Sequence, residues 1–524
     1  MAAAVAGVSF AVYPPALLLP CLLLKPNLFL PLFGWFLWLL LGKDSRPRRW
    51  VGIGVLGGLG ALLRGNLLIL LPVFALWPFL ASWSSSRRLS SGLPRTAAFV
   101  GGVALVLLPV LLRNWVVGDQ FALTTSGAGT NVYGGNNAQN PYGVATEFDW
   151  VRGIPRYEAG DWQREAERRL GHELDAAQSS NYWLGQVVES MEEDPVLHLG
   201  IFWNKLRLAL GNYEVADNHF LEWDSRYVSL LRAPWPGFGL LGGLALAGLL
   251  LTIARRTWKA APGRLALVFV LYLGTIVVTV MSMRARLPLV VVLFPFTGFW
   301  VAELIDALRP NAARRRSLAA VLATGLLGVG FAFWPVFDGE HRERDLAERD
   351  YNLVVQWLES EQELENAFDL ASLLASTHPN SSRLQILLAE TEWRRGALAI
   401  EDGDRRVGEE LVRLALKRLQ PITEAPGVNR KERSRAYRCA AYIQGSLGNW
   451  SPAERFFRQA REFASEDLEL ILSHAQSLLE LSVRTNPRSD SQRAEALELL
   501  NLILERKPQS PAGLAARALV LEFE

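Results

Sequence analysis

Five cations, Lys25, Arg64, Arg113, Arg284 and Arg286, stand at the ends of apolar runs in a chain of 524 residues. A guanidinium presents a planar fork of donors that matches two phosphate oxygens, and a cation held at membrane depth is costly enough to suggest a use. If the five converge, they form a site for a phosphate or pyrophosphate head. Taken singly, each is also explained as a long basic side chain that snorkels to the interface. Glu214, in Asn212-Tyr213-Glu214, is the acid placed to act as a base or as a cation's partner, and a salt bridge to Lys205 or Arg207 explains it equally well. Residues 121–143, FALTTSGAGTNVYGGNNAQNPYG, are dense in turn-forming Gly, Asn, Thr and Ser. With Asn114 before them, Asn131, Tyr133, Asn136 and Asn137 offer many hydrogen-bonding groups and few charges. That suits a neutral polyhydroxylated ligand such as a sugar, and it suits a purely structural cluster of turns.

Other chemistries are poorly supplied. The six histidines are scattered, with no HExxH pair, and neither of the two cysteines, Cys21 and Cys439, has a metal-type partner at useful spacing. We therefore expect no metal, no cofactor and no disulfide. The net charge of +2 says little about partners. Of the 18 tryptophans, Trp35, Trp38, Trp50, Trp77, Trp83, Trp115, Trp235 and Trp300 fall in or beside apolar runs and read as an interface belt. Trp150 and Trp162 lie outside those runs and offer a surface on which a sugar could stack.

These residues need elements to position them. Half the chain is apolar and a fifth is charged, and the mean hydropathy is +0.15. That composition excludes a disordered chain and a small disulfide scaffold. A membrane span needs about 17–25 apolar residues. Candidates are residues 5–24, 27–41, 50–63, 66–82, 97–112, 237–253, 263–283, 287–307 and 318–337, with 50–82 readable as one kinked helix. The N-terminus lacks a basic leader and carries Pro14-Pro15, so it reads as a membrane helix rather than a signal peptide. Four loops are basic: Lys43, Arg46, Arg48 and Arg49; Arg87, Arg88 and Arg95; Arg255, Arg256, Lys259 and Arg264; Arg309, Arg314, Arg315 and Arg316. With nine spans all four fall on one side. The positive-inside rule assigns that side to the cytoplasm and puts 113–236 and 338–524 outside it. Within 113–236, residues 160–190 read as one polar amphipathic helix, and 195–210 as a helix lying on the membrane surface.

The tail, 338–524, is rich in Arg and Glu with helical periodicity. Ala367, Ala371, Leu374 and Pro379 share their spacing with Ala496, Leu500, Ile503 and Pro508, and with Ala453, Phe457, Ala460 and Ser465. Gly448-Asn449-Trp450 supplies a tight turn, while 393–421 fit poorly. This resembles the tetratricopeptide pattern, in which small residues mark where paired helices touch. It predicts an α-solenoid of three to four helix pairs that binds a protein or serves as a spacer. Acidic and basic residues are interleaved throughout, so no nucleic-acid partner is expected.

The order of features before the tail resembles the membrane glycosyltransferases of the GT-C type, in particular the bacterial group related to protein O-mannosyltransferases and aminoarabinose transferases. Four stretches carry the resemblance: LGGLGALLRGNLLILLP (56–72), PVLLRNWVVGDQFALTTSGAGTNVYGGNN (109–137), WNKLRLALGNYEVADNHFLEWD (203–224) and SMRARLPLVVVLFP (282–295). It spans residues 5–337. It implies transfer of a sugar from a polyprenyl-phosphate donor to a lipid, glycan or protein acceptor, outside the cytoplasm, by a multi-pass protein of a bacterial inner membrane. Rim cations would hold the donor phosphate, and an aspartate of the first outer loop would be the base. Here the chain departs from the pattern. No Asp or Glu precedes Asp44, and Lys25 stands near where many relatives carry a glutamate. The resemblance therefore implies either that the acidic loop lies upstream of Met1 or that the chain is a degenerate member.

The expected architecture is all-α: membrane helices (1–112), an extracytoplasmic loop region (113–236), further membrane helices (237–337) and a tetratricopeptide-like solenoid (338–524). Two other functions stay open. One is an O-antigen ligase or polymerase, although the Gly-Asn-Asn loop favours the first reading. The other is a non-catalytic scaffold that presents the solenoid, for which the absent aspartate argues.

Overall fold

The computed structural model describes the chain except residues 23–24, 43–45, 80–91, 119, 125–126, 145–147, 149, 152–154, 218, 256–260, 310–311, 338, 361–362, 486–489, 507–509 and 524, and except the side chains at 155–157, 261, 312–316, 339–340, 359–360, 485, 490 and 523. Lys43, Asp44, Trp83, Arg87, Arg88, Asn218, Arg256, Lys259 and Pro508, and the side chains of Arg314, Arg315 and Arg316, thus lie outside the described residues. The described residues form helices and turns, with one isolated parallel bridge, Val144 to Met281. They divide into two compact units, Met1–Arg342 and Glu343–Glu524.

The first unit runs α1 (Ala2–Ala11), α2 (Pro14–Leu18), α3 (Pro26–Leu41), α4 (Pro47–Leu63), α5 (Gly65–Ala75), α6 (Leu93–Gly118), α7 (Ala128–Gly135), α8 (Pro155–Leu170), α9 (Ala176–Glu193), α10 (Pro195–Leu210), α11 (Leu221–Asp224), α12 (Phe238–Ala254), α13 (Ala261–Val278), α14 (Met283–Ala307) and α15 (Ala312–Phe333). Pro14, Pro26, Pro47 and Pro195 open their helices, where the missing N–H has no intrahelical partner to lose. Each of the nine apolar runs contains a helix, but the lengths are uneven. Among the described residues, α6 and α14 are long and apolar enough to cross a membrane. Ala2–Ala11 and Pro14–Cys21 make a third such span only if their 67° bend lies within one crossing. Run 5–24 is therefore not one straight helix: Pro14-Pro15 removes two donors and breaks it at Val12-Tyr13. Pro26–Leu41, Gly65–Phe79, Phe238–Ala254, Pro262–Val278 and Ser317–Phe333 are apolar but shorter.

Within 50–79, the described part of run 50–82, the chain forms two helices rather than one kinked helix. Arg64, with extended backbone (φ −145°, ψ 118°), separates α4 from α5. A Cβ at Gly57 would meet Leu71 and one at Gly60 would meet Leu67, so the pair is an antiparallel hairpin. The opposite edge of α4 receives α6 in parallel: Gly54 meets Phe99 and Gly102, and Gly58 meets Val103 and Val106. The backbones approach so closely that a Cβ on Gly102 would lie 2.2 Å from the Val51 carbonyl oxygen, whereas one on Gly101 meets nothing within 4 Å. Gly102→Ala is expected to force α4 and α6 apart at a cost of about 1–3 kcal/mol. Gly101→Ala should be neutral or slightly stabilising, because alanine is the better helix former. Denaturation midpoints of the two variants in detergent check this, and equal midpoints would refute the close packing.

The expected single helix over 160–190 is two helices, α8 and α9. Gly171 adopts a left-handed conformation (φ +78°) that ends the first. Asp175 and Gln178 then form a reciprocal cap that starts the second.

The second unit holds the rest of α16 (Gly339–Ser360), then α17 (Leu364–Thr377), α18 (Ser382–Glu401), α19 (Arg405–Glu424), α20 (Arg430–Ser446), α21 (Trp450–Phe463), α22 (Leu468–Thr485), α23 (Asp490–Arg506) and α24 (Pro511–Phe523). From α17 onward each helix packs on the next in the chain. Ala367, Ala371 and Leu374, then Ala453, Phe457 and Ala460, then Ala496, Leu500 and Ile503 are all buried at those contacts. The poorly fitting stretch 393–421 lies on α18 and α19, which at 20 residues each are longer than α17 or α21. They touch through glycine: a Cβ at Gly396 would lie 2.8 Å from the Gly408 carbonyl oxygen. Gly448 makes the left-handed turn (φ +76°) before α21. Both cysteines are free thiols.

Candidate functional site

The charged residues of 211–224 meet the start of α14. Ser282 caps that helix by accepting the Ala285 N–H at 3.2 Å. The connection 279–282 is pinned on two sides, by Met281 N–H to Gly143 O (2.9 Å) and Met283 N–H to Val215 O (3.0 Å). These bonds bring the segment after α10 alongside the first turn of α14.

Arg286 is fully buried. It donates to the carbonyls of Leu208 (3.2 Å), Gly211 (2.6 Å) and Tyr213 (2.9 Å), pairs with Glu214 and lies over the Phe238 ring (4.3 Å). Tyr13, at the break between α1 and α2, donates its hydroxyl to the other Glu214 oxygen at 2.7 Å. Glu214 is thus held by Arg286 and Tyr13, and the expected salt bridge to Lys205 or Arg207 is not the one formed. Arg207 donates to the Pro335 carbonyl and lies over Trp334. Lys205 is wholly buried, and its ammonium donates to Asn136 Oδ1 (2.7 Å), Val277 O (2.7 Å) and Thr279 O (2.6 Å). These acceptors are neutral, and burial pushes the Lys205 ammonium down to about 7.

Two residues before Arg286, within the same turn of α14, Arg284 grips Asp217 with both arms of its fork, Nε to Oδ2 at 2.7 Å. Arg64 reaches from the α4–α5 turn to the Arg284 carbonyl and lies 6.0 Å from the Phe29 ring centroid. Lys25 is exposed at the N-cap of α3, one turn before Phe29. Arg113 is exposed near the end of α6 and touches Asn114 Oδ1 at 3.3 Å. The structure therefore links Arg64 and Arg284 directly and places Arg286 two residues further along α14. Two of these three are already neutralised by carboxylates. Among the described residues no carboxylate pairs with Lys25, Arg64 or Arg113.

The loop asparagines turn inward. Asn136 bonds the carbonyls of Val132 and Val278 while accepting from Lys205. Asn137 bonds those of Tyr133 and Gly134, and Asn140 those of Gly134 and Val144. Asn114 bonds Ala122 and Thr124, while Asn131 is exposed and bonds only the Gly127 carbonyl among the described residues. These amides bridge backbone carbonyls within the fold. Tyr133 joins an aromatic cluster with Phe148, Trp150, Trp162 and Trp183. Trp162 is core there rather than an open stacking surface. Trp150 is partly buried, stacked on Trp183 at 5.2 Å.

One pair was not legible as a pair. His219 Nδ1 meets Asp224 Oδ1 at 3.3 Å, next to the Asp217–Arg284 contact. Their spacing of five residues is no standard helical signal; a bent segment leading into the short helix α11 joins them. Beyond this region, an open apolar groove of about 390 Å³ runs between α10 and α13, walled by Leu199, Phe202, Trp203, Val270, Leu273 and Val277. Among the described residues no cluster of three or more His, Cys, Asp or Glu side chains is placed to hold a metal. No family model, curated protein or solved structure matches the chain.

Proposed function

We propose that the first unit is a membrane glycosyltransferase domain that binds a polyprenyl-phosphate-linked sugar at the rim where α3, α4 and α14 meet. The observation that carries this is the contact of Arg64 with the Arg284 carbonyl, which joins residues 220 apart in sequence. With Lys25 one turn from Phe29 beneath the Arg64 guanidinium, two cations stand at one edge with no carboxylate partner among the described residues. Phosphate oxygens are the natural complement of such charge. The groove between α10 and α13 has the apolar lining and openness that a prenyl or acyl chain needs. In this reading the apolar helices, α6, α14 and α15 among them, cross a bacterial inner membrane, residues 113–236 and 338–524 lie outside the cytoplasm, and the second unit is a tetratricopeptide-like solenoid that engages a protein partner. The acceptor is a lipid, glycan or protein.

The test uses full-length protein in native membranes, with undecaprenyl-phosphate carrying radiolabelled mannose, glucose or aminoarabinose. Wild type should move label off the carrier. Arg64→Ala and Arg113→Ala should each lower transfer by about tenfold or more, as expected for lost charge-assisted phosphate contacts, with unchanged protein yield. Label that stays on the carrier with wild type would overturn the reading. A scaffold reading is favoured by one observation, the engagement of Glu214 by Tyr13 and Arg286. It predicts that Arg113→Ala and Arg284→Ala change capture of a partner and nothing else.

A further inference from the structure

With Glu214 engaged on both oxygens, the transfer reading lacks a base, and the structure offers one that the sequence pattern did not single out. We propose that His219, oriented by Asp224, is the general base that takes the proton from the acceptor hydroxyl. The inference rests on the transferase reading above.

Asp224 is buried, at 8 % exposure. Its backbone is fixed at the end of α11: its N–H reaches Phe220 O at 2.9 Å, and its carbonyl accepts the N–H groups of Tyr227 (3.1 Å) and Val228 (3.0 Å). One carboxylate oxygen meets His219 Nδ1, and the other, Oδ2, is buried with no hydrogen-bond partner among the described residues. With the carboxylate accepting from Nδ1–H, the ring carries its lone pair on Nε2. The His219 side chain is 32 % exposed, so an acceptor can reach part of the ring. The neighbouring acids are already committed. Asp217 holds Arg284, and Glu222 holds Arg342 through Nε at 2.7 Å.

The position fits the chemistry. The His219 carbonyl accepts the Asp217 N–H at 3.0 Å, Asp217 grips Arg284, and Arg64 binds the Arg284 carbonyl. A base and a phosphate-binding cation therefore stand at the two ends of one chain of direct contacts. In the step, the acceptor hydroxyl oxygen attacks the anomeric carbon as its proton moves to His219 Nε2. The bond from the anomeric carbon to the phosphate oxygen breaks, and its electron pair stays on the phosphate, opposite Arg64. Asp224 faces the imidazolium so formed, which later releases its proton to solvent.

The experiment measures steady-state transfer from the same three labelled donors, with wild type, His219→Gln, His219→Ala and Asp224→Asn in native membranes. General-base removal typically costs 10²–10⁴-fold. His219→Gln is expected to lower kcat by about 100-fold or more with donor KM little changed. Added imidazole should restore part of the activity of His219→Ala. Asp224→Asn should lower kcat less and move the acidic limb of the pH–rate profile, which a merely structural contact would not do. Transfer by wild type that survives in His219→Gln overturns the base assignment and leaves the transferase reading intact. No transfer by wild type from any of the donors overturns both. A variant that loses activity with no imidazole rescue and no change in pH profile counts against His219 as the base.

Discussion

Arg286→Ala is expected to cost about 3–5 kcal/mol of folding stability, the range for breaking a buried ion pair from one side. The loss is large because the guanidinium satisfies so much at once. Without it the Glu214 carboxylate stays buried with only the Tyr13 hydroxyl. The carbonyls of Leu208, Gly211 and Tyr213 lose their donor, and the face of Phe238 loses its cation. Lysine cannot substitute, since one ammonium lacks the fork that spans these acceptors. Two further variants separate charge from packing. Glu214→Gln alone removes the partner and leaves the Arg286 charge buried, with its carbonyl acceptors intact, so it should cost less than Arg286→Ala. The double variant Arg286→Met with Glu214→Gln removes both charges and should recover much of the loss. Unfolding of the full chain in mixed micelles, followed by tryptophan fluorescence, reads all of these. A shift below about 1 kcal/mol for Arg286→Ala would mean that water reaches the pair, as it does in surface salt bridges.

Lys205 carries the second large effect, and its pH dependence distinguishes it from an ordinary packing residue. Its ammonium is held by three neutral oxygens, and its stem packs against Gly143, a left-handed glycine (φ +64°) at which a Cβ would lie 2.2 Å from the lysine Cε. Burial lowers its pKa to about 7 in the fold, against 10.5 for the free side chain. The sign follows from proton counting. Below pH 7 both folded and unfolded chains carry the proton, and the full burial penalty is present. Between pH 7 and about 10.5 the unfolded chain holds the proton and the folded chain has released it. Stability contributed by this group therefore rises with pH, by at most about 1.4 kcal/mol per unit. Lys205→Met should abolish that slope. It should also lower stability near pH 7 by about 2–4 kcal/mol, because Asn136 Oδ1 and two carbonyls are left buried without a donor. Unfolding midpoints of wild type and variant from pH 6 to 10 test both claims. A wild-type curve with the same slope as Lys205→Met would show that the ammonium keeps its proton throughout.

How much of this was legible beforehand varies by residue, and the reason is consistent. Residues 93–118 and 283–307 are helices because long apolar sequence leaves the backbone no better way to pair its own donors and acceptors. Pro14-Pro15 marks a break at which two donors are missing. Ala453, Phe457 and Ala460 are buried because their spacing puts them on one helical face. All of that depends on neighbours within a few residues, and such information is written along the chain. The role of Glu214 was not. Its charge could be balanced by Lys205 and Arg207 nearby on α10, or by an arginine 72 positions later, and local spacing favours the nearer pair. The nearer cations were drawn away, Lys205 to carbonyls at the end of α13 and Arg207 to Pro335. The burial of Asn136 and Asn137 is of the same kind: a loop rich in amides looks ready for a ligand until its carbonyl partners are known.

The sequence by itself thus determined which stretches are helical, which faces are apolar, and which residues carry charge at the ends of apolar runs. The tertiary structure alone decided which charges meet. Ion pairs and polar cages join segments 70 to 220 residues apart, and their choice of partner is set by how helices pack. Packing in turn depends on glycines such as Gly54 and Gly102, whose value lies in the backbone they admit and not in any pattern visible along the chain.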